Sequence, residues 1–166
     1  NPIWVSLIME SNTSNARFFA LSFTNGGSPV TSIGADGTSA QNWRIQAGDG
    51  SGTVVSGTDT ENKALLVAKF TGIKADLFIN PNLNIEPTTA DASESFTSIN
   101  DFDGVRLFAG GASNPADADF DEIRIGTTFR SVAPIPEPAT VGLVLLGGAV
   151  LLGRRGRGHR DVGLHA

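Results

Sequence analysis

From residue 1 to residue 133 the chain alternates short apolar or every-second-residue apolar runs with clusters of Gly, Asn, Asp, Ser and Thr, and helical periodicity is nearly absent. Period-two patterning between closely spaced turn residues specifies strands, so the body reads as all-β. Strands are expected over residues 3–9, 17–24, 42–47, 63–70, 75–80, 104–109 and 122–126, with a weaker one near 29–33, and that number suggests a β-sandwich. In residues 103–109, Val105, Leu107 and Ala109 fall on one face and Arg106 and Phe108 on the other. One face is expected to be core and the other wetter, as in an antiparallel sheet. Thr71-Gly72-Ile73-Lys74 reads as a hairpin with Gly72 free to take positive φ. Asn25-Gly26-Gly27-Ser28-Pro29 reads as a turn. Asn80-Pro81 ends a strand, because Pro81 cannot donate to a ladder, and residues 82–101 are expected to form a long Thr-, Ser- and acid-rich loop.

The pattern changes at residue 134. Pro136-Glu137-Pro138-Ala139-Thr140 is followed by an almost uninterrupted apolar run over residues 141–153 and then by Arg154-Arg155-Gly156-Arg157, with Arg160 beyond. Residues 139–153 hold no charged side chain and one hydroxyl, Thr140, so a helix there has only its own satisfied backbone to desolvate. At about 1.5 Å per residue it spans about 22 Å, short of a hydrocarbon core of about 30 Å, which makes it a marginal spanning helix. Its apolar face would come from Ala139, Val141, Leu143, Leu145, Leu146, Val150, Leu151 and Leu152. Arg154, Arg155 and Arg157 act as a basic stop that holds this end in the cytoplasm with the body outside. The alternative is a buried helix of a soluble domain, which Gly142, Gly147, Gly148 and Gly153 weaken more than they weaken a membrane helix.

Charge separates the same two regions. The body carries eight Lys and Arg against fifteen Asp and Glu, a net −7, and the tail from Pro134 is net +2. An acidic body cannot neutralise a phosphate backbone, so nucleic acid is excluded as a partner. The absence of Cys removes disulfide scaffolding, thiolate metal sites and Cys nucleophiles. Residue 1 is Asn, and residues 3–9 already read as a strand in progress, so the chain is expected to be a fragment whose signal peptide lies outside it.

The Pro-Glu-Pro motif, apolar run and Arg cluster, in that order, resemble the PEP-CTERM sorting tail of bacterial envelope proteins. The resemblance implies that Pro136, Glu137 and Pro138 are read by an exosortase-type processing enzyme. It also implies a precursor anchored in the inner membrane and a body then released to the cell surface or extracellular matrix. Leu77-Phe78-Ile79-Asn80-Pro81, Glu86-Pro87-Thr88-Thr89-Ala90-Asp91-Ala92 and Phe120-Asp121-Glu122-Ile123-Arg124-Ile125-Gly126-Thr127-Thr128 resemble concanavalin A-like, laminin-G-like domains. The resemblance covers most of the body and implies a jelly roll whose closing strand is the Asp-Glu-Ile-Arg-Ile-Gly run. The expected organisation is then an N-terminally truncated concanavalin A-like sandwich over residues 1–133 and a sorting tail over 134–160 with a single C-terminal transmembrane helix. Residues 161–166 are expected to be a disordered C-terminus.

The residues argue against catalysis. His159 and His165 lie beyond the apolar run, and the body has no Tyr or Cys, so a His-based triad is excluded. A two-carboxylate glycosidase needs only paired Asp and Glu across a cleft, but the resemblance to the concanavalin A-like superfamily implies, for its laminarinase-like members, a strand motif with a leading Glu that the run Asp117-Ala118-Asp119-Phe120-Asp121-Glu122 lacks. Asp117, Asp119 and Asp121 suit Ca²⁺ better, with Asp101 and Asp103 as second choice, although solvated loop charge explains the same residues. For sugar, Trp43 flanked by Asn42 and Arg44 is the aromatic candidate, and Trp43 also reads as core. The expected function is an exported, non-catalytic surface or matrix protein that binds extracellular polysaccharide. A carbohydrate-active hydrolase of the same fold and a protein–protein adhesion module are the alternatives.

Overall fold

A computed structural model describes residues 1–12, 17–37, 41–48, 52–95, 102–111 and 114–134. The sorting motif Pro136-Glu137-Pro138, the apolar run, the basic stop and Asp101 lie outside the described residues. Among the described residues no helix is long and apolar enough to cross a membrane.

The body, Asn1–Ala133, is an all-β sandwich of two antiparallel sheets. Its described elements are β1 (Ile3–Ser11), β2 (Phe19–Asn25), β3 (Ser28–Ala35), β4 (Trp43–Ala47), β5 (Gly52–Val54), β6 (Ala64–Thr71), β7 (Lys74–Ile79), β8 (Ala92–Ser95), β9 (Gly104–Gly111), β10 (Asn114–Pro115), β11 (Ala118–Gly126) and a short helix, α1 (Phe129–Val132). The five-stranded sheet has the order β11-β1-β6-β7-β8 and the six-stranded sheet the order β10-β9-β2-β3-β4-β5.

Both typed turns form. Gly72 takes φ 58 between Thr71 and Lys74, which pair across the β6–β7 hairpin. Gly26 and Gly27 take φ 57 and 79, so the β2–β3 connection closes in two residues, with Asn25 opposite Ser28. The weaker strand expected near 29–33 forms, as the eight-residue β3 between β2 and β4, and its apolar signal is thin because Thr31, Ser32 and Gly34 occupy buried positions. Two readings are corrected. The expected loop over 82–101 contains β8, which pairs with β7 from Ala92 to Ser95. The alternation in β9 does not give one buried face. Val105 and Leu107 stand opposite the buried Phe23 and Leu21, yet each is 50% exposed.

Alternation on β1, β2, β4, β6 and β7 sends Val5, Leu7, Met9, Leu21, Phe23, Ile45, Leu66, Phe70 and Leu77 into one core between the sheets. Each fully buried side chain of this size stabilises by about 1.5–3 kcal/mol. The five-stranded sheet is covered on its other face too. Trp4, Val67 and Phe78 pack there with Phe129, Val132 and Ala133 of the α1 segment, and Trp4 meets Phe129 edge-on at 5.3 Å. Thr128 starts α1 by accepting from the Ser131 amide, while Ser131 accepts from the Thr128 amide. Opposite Leu7, β11 carries a bulge at Glu122–Ile123, where Glu122 takes φ 52.

Candidate functional site on the outer face of the six-stranded sheet

Alternation sends one side of β2, β3 and β4 into the core and the other to the outer face of the sheet, where Ala20, Ser22, Ser32, Gly34 and Gln46 are also buried. Cross-strand register puts Phe108, Ala20, Gly34, Arg44 and Val54 in one row across five strands. The next row holds Arg106, Ser22, Ser32, Gln46 and Gly52. Ala20 and Gly34 leave the middle of the first row low. Phe18, one residue before β2, lies against Phe108 with ring centroids 5.5 Å apart.

A guanidinium flanks each ring. The Arg44 guanidinium carbon is 5.1 Å from the Phe18 centroid, and that of Arg106 is 5.4 Å from the Phe108 centroid. The result is a band of Arg44, Phe18, Phe108 and Arg106 in which each guanidinium lies over one phenyl ring. Arg44 also donates from Nη2 to Gln46 Oε1, and Gln46 Nε2 donates to the Gly48 carbonyl at 2.9 Å. Arg44 Nε is buried without a hydrogen-bond partner, alone in this among the described side-chain nitrogens and oxygens. Burial pushes the Arg44 guanidinium below its usual pKa, and the nearby Asp36 charge opposes that shift. Beneath the row, the hydroxyls of Ser22 and Ser32 bond each other at 2.8 Å.

The residues expected from sequence separate. Arg44 belongs to this band. Trp43 points the other way: it is 1% exposed and meets Phe19 edge-on at 5.9 Å inside the core, so its ring is closed to a sugar. Asp117, Asp119 and Asp121 are exposed, but Asp117 accepts from Asn12 Nδ2, and Asp119 and Asp121 line a cleft of about 230 Å³ that also holds Lys63. Among the described residues no three His, Cys, Asp or Glu side chains gather in a way that could hold a metal. Asp103 fixes a turn instead, accepting from the Gly26 amide at 2.7 Å and from Thr24 Oγ1 at 3.4 Å. Phe18, Phe108 and Arg106 were not expected as site residues. The signal for two of them was available, since the alternation of 103–109 sets Arg106 and Phe108 on one face.

No protein-family model and no curated protein matches the chain. Among solved structures the chain is similar to Caenorhabditis elegans galectin LEC-6, with 12% identity and a TM-score of 0.47 over 76% of this chain and 84% of that one. It is also similar to Trypanosoma rangeli sialidase, with 11% identity and a TM-score of 0.47 over 78% of this chain, which spans only 22% of the sialidase. Likeness at this level carries no functional argument.

Proposed function

We propose that the protein is an exported, non-catalytic surface or matrix module of concanavalin A-like, jelly-roll fold that binds polysaccharide on the outer face of its six-stranded sheet. The band of Arg44, Phe18, Phe108 and Arg106 is the observation that carries the reading. A pyranose presents a C–H face and a rim of hydroxyls. Phenyl faces suit the first, and guanidinium and amide donors suit the second. The order of Pro136-Glu137-Pro138, apolar run and Arg cluster supports delivery through an exosortase-type enzyme, with the membrane as a temporary partner.

Binding is tested by calorimetric titration of the protein with a panel of neutral and uronate-bearing polysaccharides. Phe108→Ala and Arg44→Gln should each weaken the best ligand about tenfold, equivalent to about 1.4 kcal/mol, with the thermal midpoint held. Unchanged affinity in both variants would overturn the site. Delivery is tested in cells by comparing the wild type with Pro136, Glu137 and Pro138 all changed to Ala. Release of the wild type, shortened near residue 136, with retention of the full-length variant in the membrane supports the sorting reading. Identical fates for the two proteins refute it.

A further inference from the structure

The sandwich is open along one side. β11 ends the five-stranded sheet, and β9 is capped by β10 only at Gly110 and Gly111, so among the described residues Gly104–Ala109 and the whole of β11 have unpaired outer edges. The side chains beside these edges point inward. Val105 and Leu107 share a face with Phe23 and Leu21, and Ile125 shares one with Val5, all three partners being core residues. Yet Val105, Leu107, Ile123 and Ile125 are 50%, 50%, 40% and 52% exposed. Apolar groups that face a core and still meet water mark a surface awaiting a partner.

We infer that this open side joins two copies of the chain, with β9 of each copy extended by β11 of the other. Strand direction permits it. Phe70 pairs with Ile3 and packs against Phe23, while Phe120 pairs with Met9 and packs against Phe19, so β2 runs opposite to β1 across the sandwich. β9 is antiparallel to β2 and β11 is antiparallel to β1, so β9 and β11 run in opposite directions. A two-fold axis along the strands keeps those directions. It therefore lays the partner's β11 antiparallel beside β9 with inward faces continuous, twice per dimer.

Charge selects this arrangement over the other symmetric one. β11 carries Asp119, Asp121, Glu122 and Arg124, a net −2, and β9 carries only Arg106, a net +1. Pairing β9 with β9 and β11 with β11 sets like net charges together, whereas crossing them sets opposite ones together. The shared edge is short. Its length is set by the six free residues Gly104–Ala109, about 20 Å at about 3.3 Å per residue, and two layers with their side chains are about 20 Å deep, giving about 400 Å² per copy and about 800 Å² in total, the size of a weak, concentration-dependent dimer.

The test uses the full chain in density-matched mild detergent, and it does not depend on the polysaccharide reading. Sedimentation of the wild type should approach twice the 17.2 kDa of the chain as concentration rises, and Ile125→Asp should halve that mass while keeping the far-ultraviolet spectrum. The chain has no Cys, so introduced thiols report cleanly. Leu107 and Ile125 both sit two residues in from the Phe23–Phe70 contact, so Leu107→Cys combined with Ile125→Cys should give an oxidised covalent dimer, and neither single variant should. The two thiols of one copy face each other across about 10 Å, too far for a bridge. A monomeric wild type, a dimer that survives Ile125→Asp, or covalent dimers from the single variants would each overturn the arrangement.

Discussion

The hydroxyl of Ser6 donates to the carbonyl of Val132 at 2.5 Å, joining β1 to α1 across 126 residues of sequence. Ser6 is fully buried, and Val132 seals the outer face of the five-stranded sheet with Trp4 and Phe129. Without the donor, that carbonyl stays buried and loses its partner. Ser6→Ala is therefore expected to cost about 1–3 kcal/mol in urea unfolding. A loss under about 0.5 kcal/mol would mean that water replaces the bond.

Two glycines are expected to respond differently to Ala. At Gly34 an added Cβ would stand 2.0 Å from the Phe19 carbonyl oxygen and 2.6 Å from Ala20 Cα, so β2 itself must move. At Gly72 the space is open and only φ 58 resists. Gly34→Ala should destabilise by about 3 kcal/mol or more, and Gly72→Ala by about 1 kcal/mol, measured by chemical denaturation.

Trp43 and Phe108 separate stability from binding. Trp43→Ala empties a buried site and is expected to cost about 3–5 kcal/mol. Trp43→Phe, which keeps the core apolar, should leave polysaccharide affinity unchanged, because Trp43 faces away from the band of Arg44 and Phe18. Affinity lost in Trp43→Phe with the thermal midpoint held would contradict the assignment of faces.

Calcium is expected to have no stabilising effect on the body. Lys63 shares the cleft of Asp119 and Asp121, and Asn12 engages Asp117. A ligand that binds only the folded state raises stability by about 2.7 kcal/mol at a hundredfold excess over its dissociation constant. Thermal midpoints in millimolar Ca²⁺ and in chelator should agree to within about 1 °C. A clear upward shift would restore a metal site.

The hairpin at Gly72 was legible because its turn chemistry is local, and most strands were legible because their alternation is strong. β3 was only weakly so. Its outward and inward positions are filled by Thr31, Ser32 and Gly34, whose burial comes from neighbours on both sides and not from hydrophobicity. Period-two patterning assigns residues to faces but does not say what lies over a face. Val105 and Leu107 therefore read as core although each is half exposed, and of the two readings open for Trp43, core and sugar platform, the buried one holds. Phe18 and Phe19 are adjacent and point to opposite sides, a distinction set by the register of β2 against β9.

β1 lies between β6 and β11, so the strand nearest the start of the chain completes its ladder only with the strand nearest the end of the body. A loop of more than a hundred residues must close before that pairing repays its entropy, which makes folding slow relative to proteins of local topology. A chain emerging from a ribosome lacks β11 until almost all of the body has been made. The body therefore stays without its native fold until its last strand has been made.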